Sequence, residues 1–158
     1  MKATRINHVS VHAVDLEESA RFYNELFGMQ RVATPDFPDV HVLWLQLGEQ
    51  QLHLFARDVP TPAYHHLGLD VDDFAAVYRR AKERGLLDDT AFSVQVRSHP
   101  AGWVQMYVRD PAGNLVEIDW PDVSTLPPEI ASEIPSIEEE RPQAGEARTA
   151  TLYVEPRA

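Results

Sequence analysis

The sequence has no cysteine among its 158 residues. Disulfides and thiolate metal sites are therefore excluded, and a metal would have to be held by imidazole and carboxylate. Long apolar runs are missing as well, since no stretch reaches the roughly 18 residues needed to cross a bilayer. The first residues lead straight into a strand pattern, without the apolar core of a signal peptide. Together these absences predict a soluble, cytoplasmic protein with no membrane partner. Positive charge is scarce: 14 Lys and Arg stand against 25 Asp and Glu, a formal charge of -11. That balance argues against nucleic acid and against anionic membrane surfaces as partners. At this length the chain suits one domain with a real core.

What the sequence does contain is a repetition. Asn7-His8-Val9-Ser10-Val11 returns as His65-His66-Leu67-Gly68-Leu69. Each copy continues into an acidic residue (Asp15; Asp72-Asp73), a helical pattern holding Tyr23 or Tyr78, and a stop at Gly28 or Gly85. Trp44-Leu45-Gln46-Leu47 is then answered by Trp103-Val104-Gln105-Met106. Self-similarity at a spacing of about sixty residues indicates two copies of one supersecondary unit.

In chain order, residues 5–13 alternate as a strand with His8, Ser10 and His12 on one face. Asp15 offers an N-cap and Glu18 the acid of a capping box. Leu16, Ala20, Tyr23 and Phe27 form the predicted apolar stripe, ended by Gly28. A short strand and a Pro-containing loop fill 29–40, and strands follow at 42–47 and 51–55. Pro60-Thr61-Pro62 is the hinge between copies. The second copy predicts strand 64–71, a helix capped by Asp72 or Asp73, and strands at 92–96, 102–108 and 115–120. Asp110-Pro111-Ala112-Gly113-Asn114 is read as the hairpin turn. The modules span 4–58 and 63–120 of a domain covering 1–120. Residues 121–158, acidic and Pro-rich, are expected to form an extended or partly disordered arm. Its alternating end, 149–154, is expected to be a short docking strand.

Four chemically useful residues fall at matching places. His8 and His66 sit on the first strand of each unit, His53 and Glu117 on the last. Imidazoles with a carboxylate suit a divalent metal such as Fe(II), Zn, Ni, Mn or Co. Two histidines and one carboxylate also make a facial triad with open positions. A single strand histidine is more often a hydrogen-bonded or surface residue, and the symmetric placement is what argues otherwise. His12, on the same face as His8, is a candidate for supporting the metal or touching substrate. Trp44, Phe55, Trp103 and Tyr107 fall on the ligand-facing side, as interior filling or as the wall of a pocket for an apolar or aromatic molecule.

These stretches resemble the vicinal oxygen chelate superfamily, which includes glyoxalase I, extradiol dioxygenases, methylmalonyl-CoA epimerase and bleomycin-resistance proteins. The resemblance is carried by His8-Val9-Ser10-Val11, Asp15-Leu16, Phe22-Tyr23, Leu52-His53-Leu54 and His66-Leu67-Gly68-Leu69, and most specifically by the run from Tyr107 to Glu117. It covers residues 4–120. It implies an α+β fold of two tandem βαβββ modules whose mixed sheets curl into a cup around one metal. The ligands it implies are His8, His53, His66 and Glu117. With these comes a metalloenzyme that binds a small substrate through two neighbouring oxygens, with His53 and Glu117 as catalytic residues. His53 stands where bacterial glyoxalase I has Glu and the epimerases Gln, so it is either a fourth ligand or an acid/base beside the metal. Extradiol-dioxygenase chemistry is placed ahead of glyoxalase-type lyase or isomerase chemistry. The reading from another class is a small-molecule binding protein of the bleomycin-resistance kind. The resemblance also implies a homodimer, with the cup completed within one chain or across two.

Overall fold

The computed structural model describes residues 3 and 5–153. Its strands are β1 (His8–Ala13), β2 (Gln30–Val32), β3 (Val42–Leu47), β4 (Gln50–Ala56), β5 (His66–Asp70), β6 (Val96–Ser98), β7 (Val104–Arg109) and β8 (Leu115–Trp120). Helix α1 (Leu16–Phe27) follows β1, and α2 (Phe74–Glu83) follows β5. The strands make two four-stranded sheets, ordered β1-β4-β3-β2 and β5-β8-β7-β6. The same strand order in each half is the α+β architecture of paired βαβββ modules. The chain divides into two compact units, the first running to Leu67 and including Arg109–Leu115, the second holding Gly68–Val108 and Val116 onward.

In the first unit β1 runs parallel to β4, while β4 pairs antiparallel with β3 and β3 with β2. Helix α1 starts where the Asp15 carboxylate accepts from the amides of Glu17 (2.8 Å) and Glu18 (3.0 Å). That satisfies donors the first turn leaves without partners. It stops where Gly28 takes a left-handed φ of 69°, its amide donating to the Asn24 carbonyl at 2.8 Å. The buried face of α1 is Ser19, Ala20, Phe22, Tyr23 and Leu26. The predicted stripe shared Ala20 and Tyr23 with it, but Leu16 and Phe27 at its ends are only half-buried. This face packs on β3 and β4, where Leu43, Leu45, Leu52 and Leu54 are buried. Each such leucine contributes about 1.5–3 kcal/mol. Alternation then turns Trp44, Gln51, His53 and Phe55 to the opposite face of the sheet.

The 110–114 turn belongs to this first unit. Asp110 Oδ1 accepts the amides of Ala112 (3.0 Å) and Asn114 (2.8 Å). Its Oδ2 accepts the Tyr23 hydroxyl at 3.0 Å and the Asn114 amide group at 2.7 Å. Asn114 Nδ2 also donates to the His12 carbonyl at 2.8 Å. The turn is a buried bracket as well as a reversal.

In the second unit α2 is capped by Asp73, which accepts from the Ala76 amide at 2.9 Å. It buries Phe74, Ala75, Val77, Tyr78 and Ala81. The strand expected at 92–96 is displaced: residues 90–93 form turns and β6 begins at Val96. The reason is local. Ser93 has φ 57°, which breaks an extended run, and its amide bonds the Asp89 carbonyl at 2.8 Å. Asp88 fixes the same turn by accepting from the Thr90 hydroxyl at 2.7 Å.

The acidic arm also departs from expectation. It is folded into short helical pieces: a 3-10 turn at Val123–Thr125, α3 (Pro128–Ala131), α4 (Ile137–Glu140) and a second 3-10 turn at Gly145–Arg148. Leu126, Ile130 and Ile134 are buried, and Ser136 with Glu139 forms a capping box on α4. Three apolar anchors and local capping offset the entropy that composition alone suggested would win. Residues 149–153 contain no strand; Val154 lies outside the described residues.

Candidate functional site

On the first sheet the register places Trp44 directly across from His53, and Ser10 across from His53 on the other side. The His8 ring leans over the gap and stacks on His53, with centroids 4.4 Å apart and planes 14° apart. The Trp44 indole covers the other face of His53 at 4.3 Å and 6°. Phe37 continues the column beyond Trp44 at 6.3 Å. These rings, with Phe55 and the polar Asn7 and Gln51, line a cavity of about 600 Å³. This is the apolar concavity with a few convergent polar groups expected of a small-molecule site.

His53 is 8% exposed. Burial, and then the neighbouring His8, hold its imidazole below the usual histidine range, so it is neutral near pH 7. One of its nitrogens, Nε2, lies 2.9 Å from Gln51 Oε1. His8 Nδ1 lies 2.6 Å from the Asn7 side-chain oxygen. His66 Nδ1 lies 2.8 Å from the Tyr64 carbonyl. An oxygen that accepts from Nδ1–H leaves the lone pair on Nε2, which is how metal-binding histidines are commonly oriented. The donor set therefore fits a divalent metal in its chemistry. Among the described residues, however, no three His, Asp or Glu side chains converge on one point. His8, His53 and His66 fall in the first unit and Glu117 in the second.

His12 stands apart from the aromatic column. It lines a smaller cavity of about 240 Å³ with Thr61, His65 and His66, its Nε2 lying 3.4 Å from the Thr61 hydroxyl.

In the second unit Glu117 and Asp119 alternate onto one face of β8, and Gln105 and Tyr107 onto one face of β7. All four are less than a tenth exposed. Gln105 donates to the Tyr107 hydroxyl in a short contact. Burial, and then Glu117, push the Tyr107 phenol up. Asp119 is likewise raised well above the usual carboxylate range by burial and then by the charge of Glu117. Its Oδ1 is buried without a hydrogen-bond partner. Gly68 faces the same group: a Cβ there would lie 3.6 Å from Asp119 Oδ2. Trp103 is 8% exposed. It stacks on His99 at 3.6 Å and 1°, and its indole N–H donates to the Ala150 carbonyl at 2.9 Å.

Sequence reasoning missed Asp119, His99 and the arm residue Tyr153. Asp119 had a signal, lying two positions beyond Glu117 on the same strand face. His99 lies outside any periodic pattern. The alternation of 149–154 suggested a docking strand but not the bond from Tyr153 to Asp70, which only the folded chain path reveals.

Residues 5–118 match the family model described as the Glyoxalase/Bleomycin resistance protein/Dioxygenase superfamily. The chain is 28% identical over 132 residues to human mitochondrial methylmalonyl-CoA epimerase, with 73% of each chain covered. It is 27% identical over 129 residues to the ethylmalonyl-CoA/methylmalonyl-CoA epimerase of Cereibacter sphaeroides, covering 73% of this chain and 96% of that one. A crystal structure of a glyoxalase family protein from Bacillus anthracis superposes with a TM-score of 0.60 at 23% identity, covering 75% of this chain and 96% of that one. No helix among the described residues is long and apolar enough to cross a membrane.

Proposed function

Because the chain belongs to the glyoxalase/bleomycin resistance protein/dioxygenase superfamily, we propose that it is a metal-dependent isomerase. It moves a proton at a carbon beside a carbonyl, on a small substrate presenting two neighbouring oxygens. The observation that carries this reading is the buried His53, clamped between His8 and Trp44 in the lining of the 600 Å³ cavity. A base working near pH 7 must be unprotonated there and held in place, and His53 meets both conditions. His8, His66 and Glu117 would hold the divalent metal, the latter two from the same chain or from a second copy. The metal, when bound, supplies Lewis-acid stabilisation of the developing oxyanion. His53 takes the proton from the carbon and returns it; Trp44, Phe37 and Phe55 exclude water and seat the apolar part of the substrate. The epimerase names of the curated relatives support proton transfer. Ring cleavage with dioxygen, which the sequence placed first, draws no support from those names.

The test is deuterium incorporation from D2O into malonyl-type thioesters and α-hydroxycarbonyl compounds, by metal-loaded wild type and His53→Ala. Exchange in wild type, with exchange lost but metal retained in His53→Ala, supports the reading. Metal lost with the side chain makes His53 a fourth ligand instead. Oxygen uptake with catechols in place of exchange would move the assignment to the dioxygenases. Stoichiometric binding with neither activity would move it to the sequestering proteins.

A further inference from the structure

We propose that residues 137–153 form a displaceable strap across the polar face of the second sheet, so that this face is closed until the strap lifts. Three tethers carry the argument, each on a different part of that face. Tyr153 donates its hydroxyl to Asp70 Oδ1 on β5 at 2.8 Å. The Ala150 carbonyl accepts the indole N–H of Trp103, just before β7, at 2.9 Å. Glu140 lies 3.8 Å from Arg97 on β6. Arg97 pairs with Gln105, and Trp103 alternates with Gln105 and Tyr107. Tyr107 neighbours Glu117, and Gly68, two positions before Asp70, faces Asp119. Asp70, Trp103 and Arg97 therefore share the face that carries Glu117, Asp119, Gln105 and Tyr107. A segment tethered to all three lies across it.

The strap and its root are held differently. The root buries Leu126, Ile130 and Ile134, joins the edge of β6 through the Ser98 amide and the Pro135 carbonyl at 2.9 Å, and pins Glu133 to Lys82 and Tyr78 on α2. Beyond Ile134 no described residue of the arm is buried, so the strap is held by these tethers and half-buried contacts, without the buried apolar anchors of the root. Polar contacts of this kind exchange for water at small net cost, whereas the apolar root does not. What the strap covers is also unusual for a permanent interior. Asp119 Oδ1 and Arg97 Nε are buried without partners there, and groups left in that state are expensive unless a ligand or water reaches them. The face is furnished for a polar ligand and occupied by the chain's own arm. The proposal goes beyond the isomerase reading and requires no metal.

The experiment uses the full chain, comparing wild type with Tyr153→Phe and Glu140→Gln, two exposed-side substitutions that leave the root intact. Indole N–H exchange at Trp103 is followed by NMR, and carbodiimide labelling of Glu117 and Asp119 by mass spectrometry. Losing the Tyr153 bond to Asp70 should raise the open population about tenfold, read as faster Trp103 exchange with increased labelling, and with Glu140→Gln shifting the same way. Exchange at Trp103 that is unchanged in both variants would overturn the strap. So would strap amides that exchange only together with those of Ile130 and Ile134, because the arm would then be a fixed part of the fold. Faster Trp103 exchange without increased labelling would overturn the closure.

Discussion

The Tyr23–Asp110 bond offers the sharpest test of how the first unit is held. The two residues are 87 positions apart, and Tyr23 is fully buried. Burial, and then the Asp110 carboxylate, push the Tyr23 phenol well above its ordinary value, so it stays a donor throughout the accessible pH range. Tyr23→Phe removes one donor from a carboxylate that is 4% exposed and cannot recruit water freely. A hydrogen bond to a charged group is worth about 1.5–3 kcal/mol. Because Asn114 Nδ2 still donates to the same oxygen at 2.7 Å, about 2 kcal/mol is expected. For a chain of this size that is a fall of roughly 4–8 °C in Tm. The assay is urea denaturation by far-UV circular dichroism, with the slope m unchanged. Asp110→Asn should cost more, because an amide would set a donor against the Tyr23 hydroxyl and the Asn114 amide group. The double variant should fall short of the sum, since both changes break one contact. A loss below about 0.5 kcal/mol for Tyr23→Phe would refute the reasoning, because exposed-surface changes already reach that size.

Two further outcomes follow from single residues. Gly113 has φ 85°, and a Cβ there would lie 3.2 Å from the Thr61 hydroxyl, so Gly113→Ala should destabilise by about 1–2 kcal/mol in the same denaturation assay. His99 is held below the usual histidine range chiefly by burial. The unfolded chain therefore binds its proton first, near pH 6.5, and stability is full above that value and is lost as pH falls through the lower folded value. Replacing it with Phe should flatten the stability profile between pH 7 and 5, and an unaltered profile would remove His99 from the account.

The βαβββ duplication, both helix starts, the hairpin at 110–114 and the faces of the strands were legible in the sequence. Each depends on residues a few positions apart: Asp15 reaches its own first turn, and period-two alternation sends Leu52 and His53 to opposite sides. The position of β6 was not legible, because the turn at 88–93 rests on a positive φ at Ser93 that serine rarely adopts. Nor was the order of the arm, whose composition is that of a solvated tail but whose Leu126, Ile130 and Ile134 find buried places. Sequence placed His53 on the correct strand face. Only the tertiary structure stacked it between His8 and Trp44, set Asp110 as the acceptor of Tyr23, and drew Tyr153 onto Asp70 from 83 residues away. Such contacts join residues far apart along the chain, and no local rule encodes them. They follow from the path the backbone takes once its apolar faces have been buried.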